Sequence, residues 1–155
     1  MHQFDLKNRT AIITGGAQGF GFDIAKRFLS SGAKVIIWDI DKNELLKASK
    51  QLNNPNLSSH IVDVSDFNQV KDTVEEIIKK SNIDILINNA GITGSTASLW
   101  EYDVEEWNKI VNINLMGTFN CCKCVVSNMI KNNYGRIVNV ASVAGKDGNA
   151  NASAY

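Results

Sequence analysis

A turn of small residues, Thr14-Gly15-Gly16-Ala17-Gln18-Gly19-Phe20-Gly21, follows the apolar run Ala11-Ile12-Ile13 and leads into the helical pattern Ala25, Phe28, Leu29. Gly15 can take backbone angles closed to residues with a Cβ, Gly19 lets the main chain approach a ligand, and Gly21 lets the new helix lie close on a sheet. A helix starting here presents unpaired amides and the positive end of its dipole, which suits a pyrophosphate. Such a cluster alone also fits an ordinary surface turn. The context argues otherwise, because Asp39 closes the next apolar run, Val35-Ile36-Ile37-Trp38, about 20 positions beyond the turn, where a carboxylate can bind an adenosine ribose.

Asp39 suits the ribose diol of NAD and would face the extra phosphate of NADP as a like charge. Gln18 and Ile40, the neighbouring positions, supply no cation to offset that phosphate. The competing role for Asp39 is a helix N-cap shared with Asp41. Asp63 can accept from an amino group such as that of adenine, or cap the helix that begins near Ser65. The Asn88-Asn89 pair can tie neighbouring strand ends together while Ala90-Gly91 leaves room for a flat cofactor. Asn114 interrupts an apolar helical run, where its amide can hold a water or bond the backbone. Ser142 and Tyr155 can both present hydroxyls to a carbonyl.

These residues need a scaffold that brings the ends of several strands together. The pattern alternates short strands with amphipathic helices. It predicts strands over 10–14, 34–38, 59–62, 84–87 and 136–140, and helices over 19–31, from Asp41 to the Asn53–Asn56 turn, from Ser65 or Asp66 through Ile78, and in one long run from Asp103 to Ile130. Such alternation predicts an α/β fold with a parallel, doubly wound sheet, whose ligands bind beyond the carboxyl ends of the strands. Gly32 reads as a helix stop, and the one proline, Pro55, falls in a turn. The long helix carries Trp107, Ile110, Val111, Phe119, Cys122, Val126 and Met129, too many apolar residues for a single stripe facing the sheet.

Length and composition bound the rest. A chain of 155 residues with 44% hydrophobic and 21% charged residues reads as one folded domain, 1–155. Sixteen basic residues balance sixteen acidic ones, so no overall field gathers nucleic acid or an anionic membrane. The N-terminal stretch lacks the apolar core of a signal peptide, and no apolar run reaches bilayer-spanning length, so a cytoplasmic location is expected. Cys121, Cys122 and Cys124 lack the spacing and the nearby histidine of a metal site, so they read as core or interface residues and no metal is expected. His2, in the N-terminal arm, and His60, in or beside the third strand, read as surface or packing histidines.

Taken together, Thr14–Gly21, Asp63-Val64, Asn88-Asn89-Ala90-Gly91, Asn114-Leu115-Met116-Gly117 and Ser142 within Val138-Asn139-Val140-Ala141-Ser142 resemble, in order, the motifs of the short-chain dehydrogenase/reductase family. The subgroup is the one that includes 3-oxoacyl-[acyl-carrier-protein] reductases and sugar-acid and polyol dehydrogenases. The resemblance implies a Rossmann-type sheet of strand order 3-2-1-4-5, incomplete because the family's strands six and seven are absent. It implies an NAD(P)-dependent interconversion of a secondary alcohol and a ketone, 3-oxoacyl-carrier-protein reductase-like, with NAD favoured over NADP. It makes Tyr155 the general acid/base, Ser142 the group that orients the substrate carbonyl, and Asn114 the holder of a relay water. The cofactor is expected on Gly15, Gln18, Gly19, Phe20, Gly21, Asp39, Ile40, Asp63, Val64, Asn89, Ala90 and Gly91, with Phe20 standing where the family usually has isoleucine. A homodimer or homotetramer through the 103–130 helix is implied. The family pattern continues to a lysine four residues beyond Tyr155, outside this sequence, so the 155-residue chain alone is expected to be inactive. A non-catalytic dinucleotide-binding module is the reading of another class.

Overall fold

The computed structural model describes residues 4–155, so His2 lies outside the described residues. The chain runs β1 (Thr10–Thr14), α1 (Gly19–Ser30), β2 (Lys34–Asp39), α2 (Lys42–Leu52), β3 (Leu57–Ile61), α3 (Phe67–Ile78) and β4 (Ile85–Asn88). A 3-10 turn (Leu99–Glu101), α4 (Val104–Val111), a π-helical turn (Asn112–Met116), α5 (Gly117–Lys131), β5 (Arg136–Asn139) and a short α6 (Ala144–Asp147) follow. All pairings are parallel, as the strand–helix alternation predicts, and the strand order is β3-β2-β1-β4-β5, as the family resemblance implies.

Strand side chains alternate between two cores because successive Cβ atoms point to opposite faces. Ala11, Ile13, Val35, Ile37, Ile85 and Ile87 meet Ala25 and Leu29 of α1 and Leu45 and Ala48 of α2. Ile12, Ile36, Trp38 and Leu86 meet Val70, Val74 and Ile77 of α3 and Cys121, Val125 and Met129 of α5. The central strands are apolar on both faces, the signature of a sheet covered on each side. Asp41 and Asp66 cap α2 and α3, each accepting from two backbone amides.

Two expectations are corrected. The third strand runs Leu57–Ile61 rather than 59–62, because the ladder to β2 starts at Val35↔Leu57 directly after the Asn54–Asn56 turn and ends at Asp39↔Ile61; Leu57 and Ser58 join it and Val62 falls outside. The single helix over 103–130 is broken into α4 and α5 by the π-helical turn, in which one extra residue widens the coil. Strands four and five also shift or shorten by a residue, to Ile85–Asn88 and Arg136–Asn139, and the loop between Ser142 and Tyr155 contains α6.

The long run's apolar residues divide as a two-sided helix should. Ile110 and Met129 are buried, whereas Phe119 and Val126 are exposed together with Leu115 and Ile130. Cys121 is fully buried, and Cys122 and Cys124 pack at the edge of the same core. Burial pushes the Cys121 thiol up to about 12.

Candidate active site

The carboxyl ends of the strands gather the polar residues, and a buried threonine organises them. Thr14, 2% exposed at the end of β1, donates its hydroxyl to Ile87 O at 3.4 Å and accepts from Asn89 N and Ala90 N, each at 3.0 Å. One donor and two acceptor positions are thereby filled, the full complement of a hydroxyl. Asn89 returns the contact, its Nδ2 donating to Thr14 O and Gly15 O, both at 3.0 Å. The pair latches β4 to the glycine turn. The sequence marks Thr14 only as the residue that opens the glycine turn; its role as the latch between β1 and β4 comes from the structure.

Gly15 has φ +61°, the left-handed region that its lack of a Cβ permits. Gly21 is required by proximity, since a Cβ there would stand 2.1 Å from Gly15 O and 2.7 Å from Asn89 Nδ2. The turn is pinned to β2 by Gly16 N on Trp38 O at 3.0 Å and by Ala17 N on Asp39 Oδ2 at 3.3 Å. Asp39 Oδ1 accepts from Asp41 N at 3.2 Å. The N-cap of α2 is Asp41, so Asp39 sets the mouth of the turn instead and keeps free lone pairs for a diol.

Gly15, Gln18, Asp39, Ile40, Asp63, Val64, Asn89, Ala90 and Gly91 all line one cavity of about 340 Å³, closed by Val62, Ile92 and Ile113. Gly19 opens onto free space, where an added Cβ would meet nothing within 4 Å. Asp63 is drawn partly inward, its Oδ1 accepting from Ser65 N at 2.9 Å and Ser65 Oγ at 2.6 Å. Asn120, 4% exposed on α5, steadies the same loop by donating Nδ2 to Val64 O at 3.0 Å.

A second cavity, about 690 Å³, adjoins the first through the shared residues Asn89, Ala90, Gly91 and Ile92. Phe20, Thr93, Asn114, Ser142 and Tyr155 line it. Phe20 is 77% exposed at the start of α1, on the wall between the turn and β5. Asn88, the other amide of the pair, donates Nδ2 to Asn139 Oδ1 at 2.8 Å and ties the ends of β4 and β5. Its Oδ1 is buried without a hydrogen-bond partner among the described residues.

Asn114 takes the backbone-bonding role of the two left open by its sequence. Its Oδ1 accepts from Ile92 N and its Nδ2 donates to Ile92 O, both at 2.9 Å, so the side chain clasps one residue of the loop after β4. Its main-chain carbonyl accepts from Thr118 Oγ1 at 2.9 Å and has a second lone pair. Asn114 lies within the π-helical turn. Ser142 accepts from Ala144 N at 3.2 Å, which orients its hydroxyl oxygen at the start of α6.

Ser142 and Tyr155 thus line a cavity beside the glycine turn and the acidic end of β2, at the carboxyl ends of a doubly wound parallel sheet. Residues 9–155 match the short chain dehydrogenase family, and the chain belongs to it. It is 44% identical over 153 residues to a 2-dehydro-3-deoxy-L-rhamnonate dehydrogenase (NAD(+)) of Sphingomonas sp. (strain SKA58), covering 95% of this chain and 59% of that protein. To the 3-oxoacyl-[acyl-carrier-protein] reductase FabG of Chlamydia trachomatis it is 39% identical, over 97% of this chain and 62% of that one. The crystal structure of an NAD+-bound xylitol dehydrogenase superposes with a TM-score of 0.92 at 31% identity, over 98% of this chain and 60% of that one. The chain thus spans about 60% of the length of the relatives it matches.

Proposed function

We propose that the protein is the cofactor-binding and catalytic part of an NAD-linked dehydrogenase that interconverts a secondary alcohol and a ketone on a hydroxylated carbon chain, a sugar acid or a polyol. The observation that carries the reading is the pair of adjoining cavities, one lined by Asp39 and the glycine turn and the other by Asn114, Ser142 and Tyr155. The dinucleotide fits the first on structural grounds: the turn offers open space at Gly19, and Asp39 retains acceptor capacity toward a ribose. When bound, the nicotinamide supplies or accepts the hydride.

The chain's own residues do the rest. Gly15, Gln18, Gly19, Phe20 and Gly21 hold the pyrophosphate end, Asp39 and Ile40 the ribose, Asp63 and Val64 the base, and Asn89, Ala90 and Gly91 the wall between the cavities. Ser142 donates to the substrate oxygen and holds it beside Tyr155, whose hydroxyl gives or takes the proton there. The Asn114 main-chain carbonyl, through its second lone pair, can hold a water on the proton path.

Asp39 supports NAD over NADP, and the names of two relatives point to sugar-acid and polyol chemistry. The 39% identity to a 3-oxoacyl-carrier-protein reductase favours a second reading, reduction of a 3-oxoacyl thioester. We further propose that the exposed apolar residues of the π-helical turn and α5 pair two copies of the chain, and that the protein works in the cytoplasm.

The test is a spectrophotometric assay with NAD(H) and NADP(H) against sugar acids, polyols and 3-oxoacyl thioesters. It is run on the 155-residue chain and on a chain extended through a lysine four residues beyond Tyr155. NAD-linked turnover of a sugar acid or polyol by the extended chain, with negligible turnover by the shorter one, is the expected result. Turnover confined to 3-oxoacyl thioesters would select the second reading, and cofactor binding without any turnover would leave a binding module.

A further inference from the structure

Glu106 stands three residues after Asp103, the N-cap of α4, the spacing at which a glutamate ordinarily reaches back to the N-cap amide. Asp103 performs its half of that arrangement, accepting from Glu106 N at 2.8 Å. The Glu106 carboxylate does not complete it. It turns instead to the loop after β4, where Oε1 accepts from Ser95 N at 2.8 Å and Oε2 from Ser95 Oγ at 2.6 Å.

That loop needs external support. Residues 93–96 are all exposed. Asn114 grips the loop at Ile92, and Tyr102, 8% exposed, donates its hydroxyl to Ser95 O at 2.7 Å. Gly94 lies so close to α4 that an added Cβ would stand 2.1 Å from Ile110 Cδ1. At the far end Ala97 N donates to Asn151 O at 2.9 Å, which joins the loop to the segment that carries Tyr155 into the larger cavity.

We propose that Glu106 is a positioning residue: through Ser95 it fixes the wall of the cavity that includes Thr93, and through Ala97 and Asn151 it steadies the approach of Tyr155. This rests on the proposed oxidoreductase function for its consequence in catalysis, but not for its geometry. Two charge-assisted hydrogen bonds to one loop residue are stronger than the neutral contacts around them, which makes the carboxylate the dominant anchor.

The experiment compares wild type, Glu106→Gln and Glu106→Ala by amide hydrogen exchange and, in the extended chain, by steady-state kinetics. Glu106→Ala is expected to speed exchange at Ser95 and Ala97 by about tenfold or more, with Glu106→Gln intermediate because it keeps one acceptor oxygen. Exchange at Ile110, within α4, should not change. In turnover, kcat should fall in the same order while the KM for NAD stays put. Unchanged exchange at Ala97 in Glu106→Ala, or acceleration spread equally to Ile110, would overturn the proposal, the latter by showing only a weakened helix. If the wild type turns over none of the substrates, the functional reading fails, while the exchange result still decides the clamp.

Discussion

Single residues already divide the tasks of the cleft. Asp39 has one oxygen on the turn and one on the next loop, so a phosphate on the ribose would meet a fixed carboxylate. Asp39→Ser is expected to weaken NAD binding by about tenfold, the scale of one lost charge-assisted hydrogen bond, and to narrow or erase the preference over NADP. Calorimetric titration with both cofactors reads the result. Cys121 tests a different force. Its thiol is held neutral by burial, with a folded value of about 12 against 9.0 ordinarily. Between those limits the folded state keeps a proton that the unfolded state has lost, so stability must fall as pH rises. The slope is about 1.4 kcal/mol per pH unit, absent below pH ~9. Urea denaturation of wild type and Cys121→Ala from pH 8 to ~10.5 should show the gap between them shrinking as the pH rises.

At the scale of elements, the strand–helix alternation and the helix caps were legible because hydrophobic period and capping chemistry are local signals, whereas the order of the strands came only with the family resemblance. Asp41 and Asp66 declared themselves by lying just before an amphipathic run. The π-helical turn was not legible, since Asn112–Met116 keeps the composition of the helices on either side and only the tertiary grip of Asn114 on Ile92 reveals the extra residue. Nor was the start of β3, which polar residues enter because β2 offers unpaired backbone groups. The motifs named the site's members but not their connections. Asn89 was expected on the cofactor wall, and the structure adds that its amide nitrogen is committed to Thr14 and Gly15. The β1–α1 junction depends on closeness more than on flexibility. Gly21→Ala would force a Cβ against Gly15 O, so a loss of about 1–3 kcal/mol is expected, read as a lower urea midpoint, together with weaker cofactor binding.

For the whole molecule, the two edges of the sheet differ. The outer strand β3 carries Ser58, Ser59 and His60, polar side chains that discourage pairing with another chain. At the opposite edge β5 exposes Ile137 and Val138. A second apolar surface lies on the helical layer, where Leu115, Phe119, Val126 and Ile130 are 64%, 51%, 39% and 74% exposed and recur at helical spacing. A stripe of that kind is the surface on which the proposed pairing of two copies rests, each presenting the same residues to the other. Replacing Phe119 and Ile130 together by glutamate should convert a dimer or tetramer to monomer in sedimentation velocity, with the far-ultraviolet circular dichroism unchanged. A wild-type chain that sediments as a monomer at all concentrations would remove the basis for this.

Trp38 ends the apolar part of β2 with no exposed surface, and its carbonyl receives the amide of Gly16 from the glycine turn. Trp100, in the 3-10 turn, is 86% exposed. Of the protein's three tryptophans, Trp38 and Trp100 therefore stand in opposite surroundings, with Trp107 of α4 partly buried. Iodide should quench the red-shifted emission of Trp100 and leave the blue emission of Trp38 intact. Because reduced nicotinamide absorbs where tryptophan emits, energy transfer from Trp38 is expected to report binding of the proposed cofactor in the neighbouring cleft. A Trp100→Phe/Trp107→Phe double variant would isolate that signal.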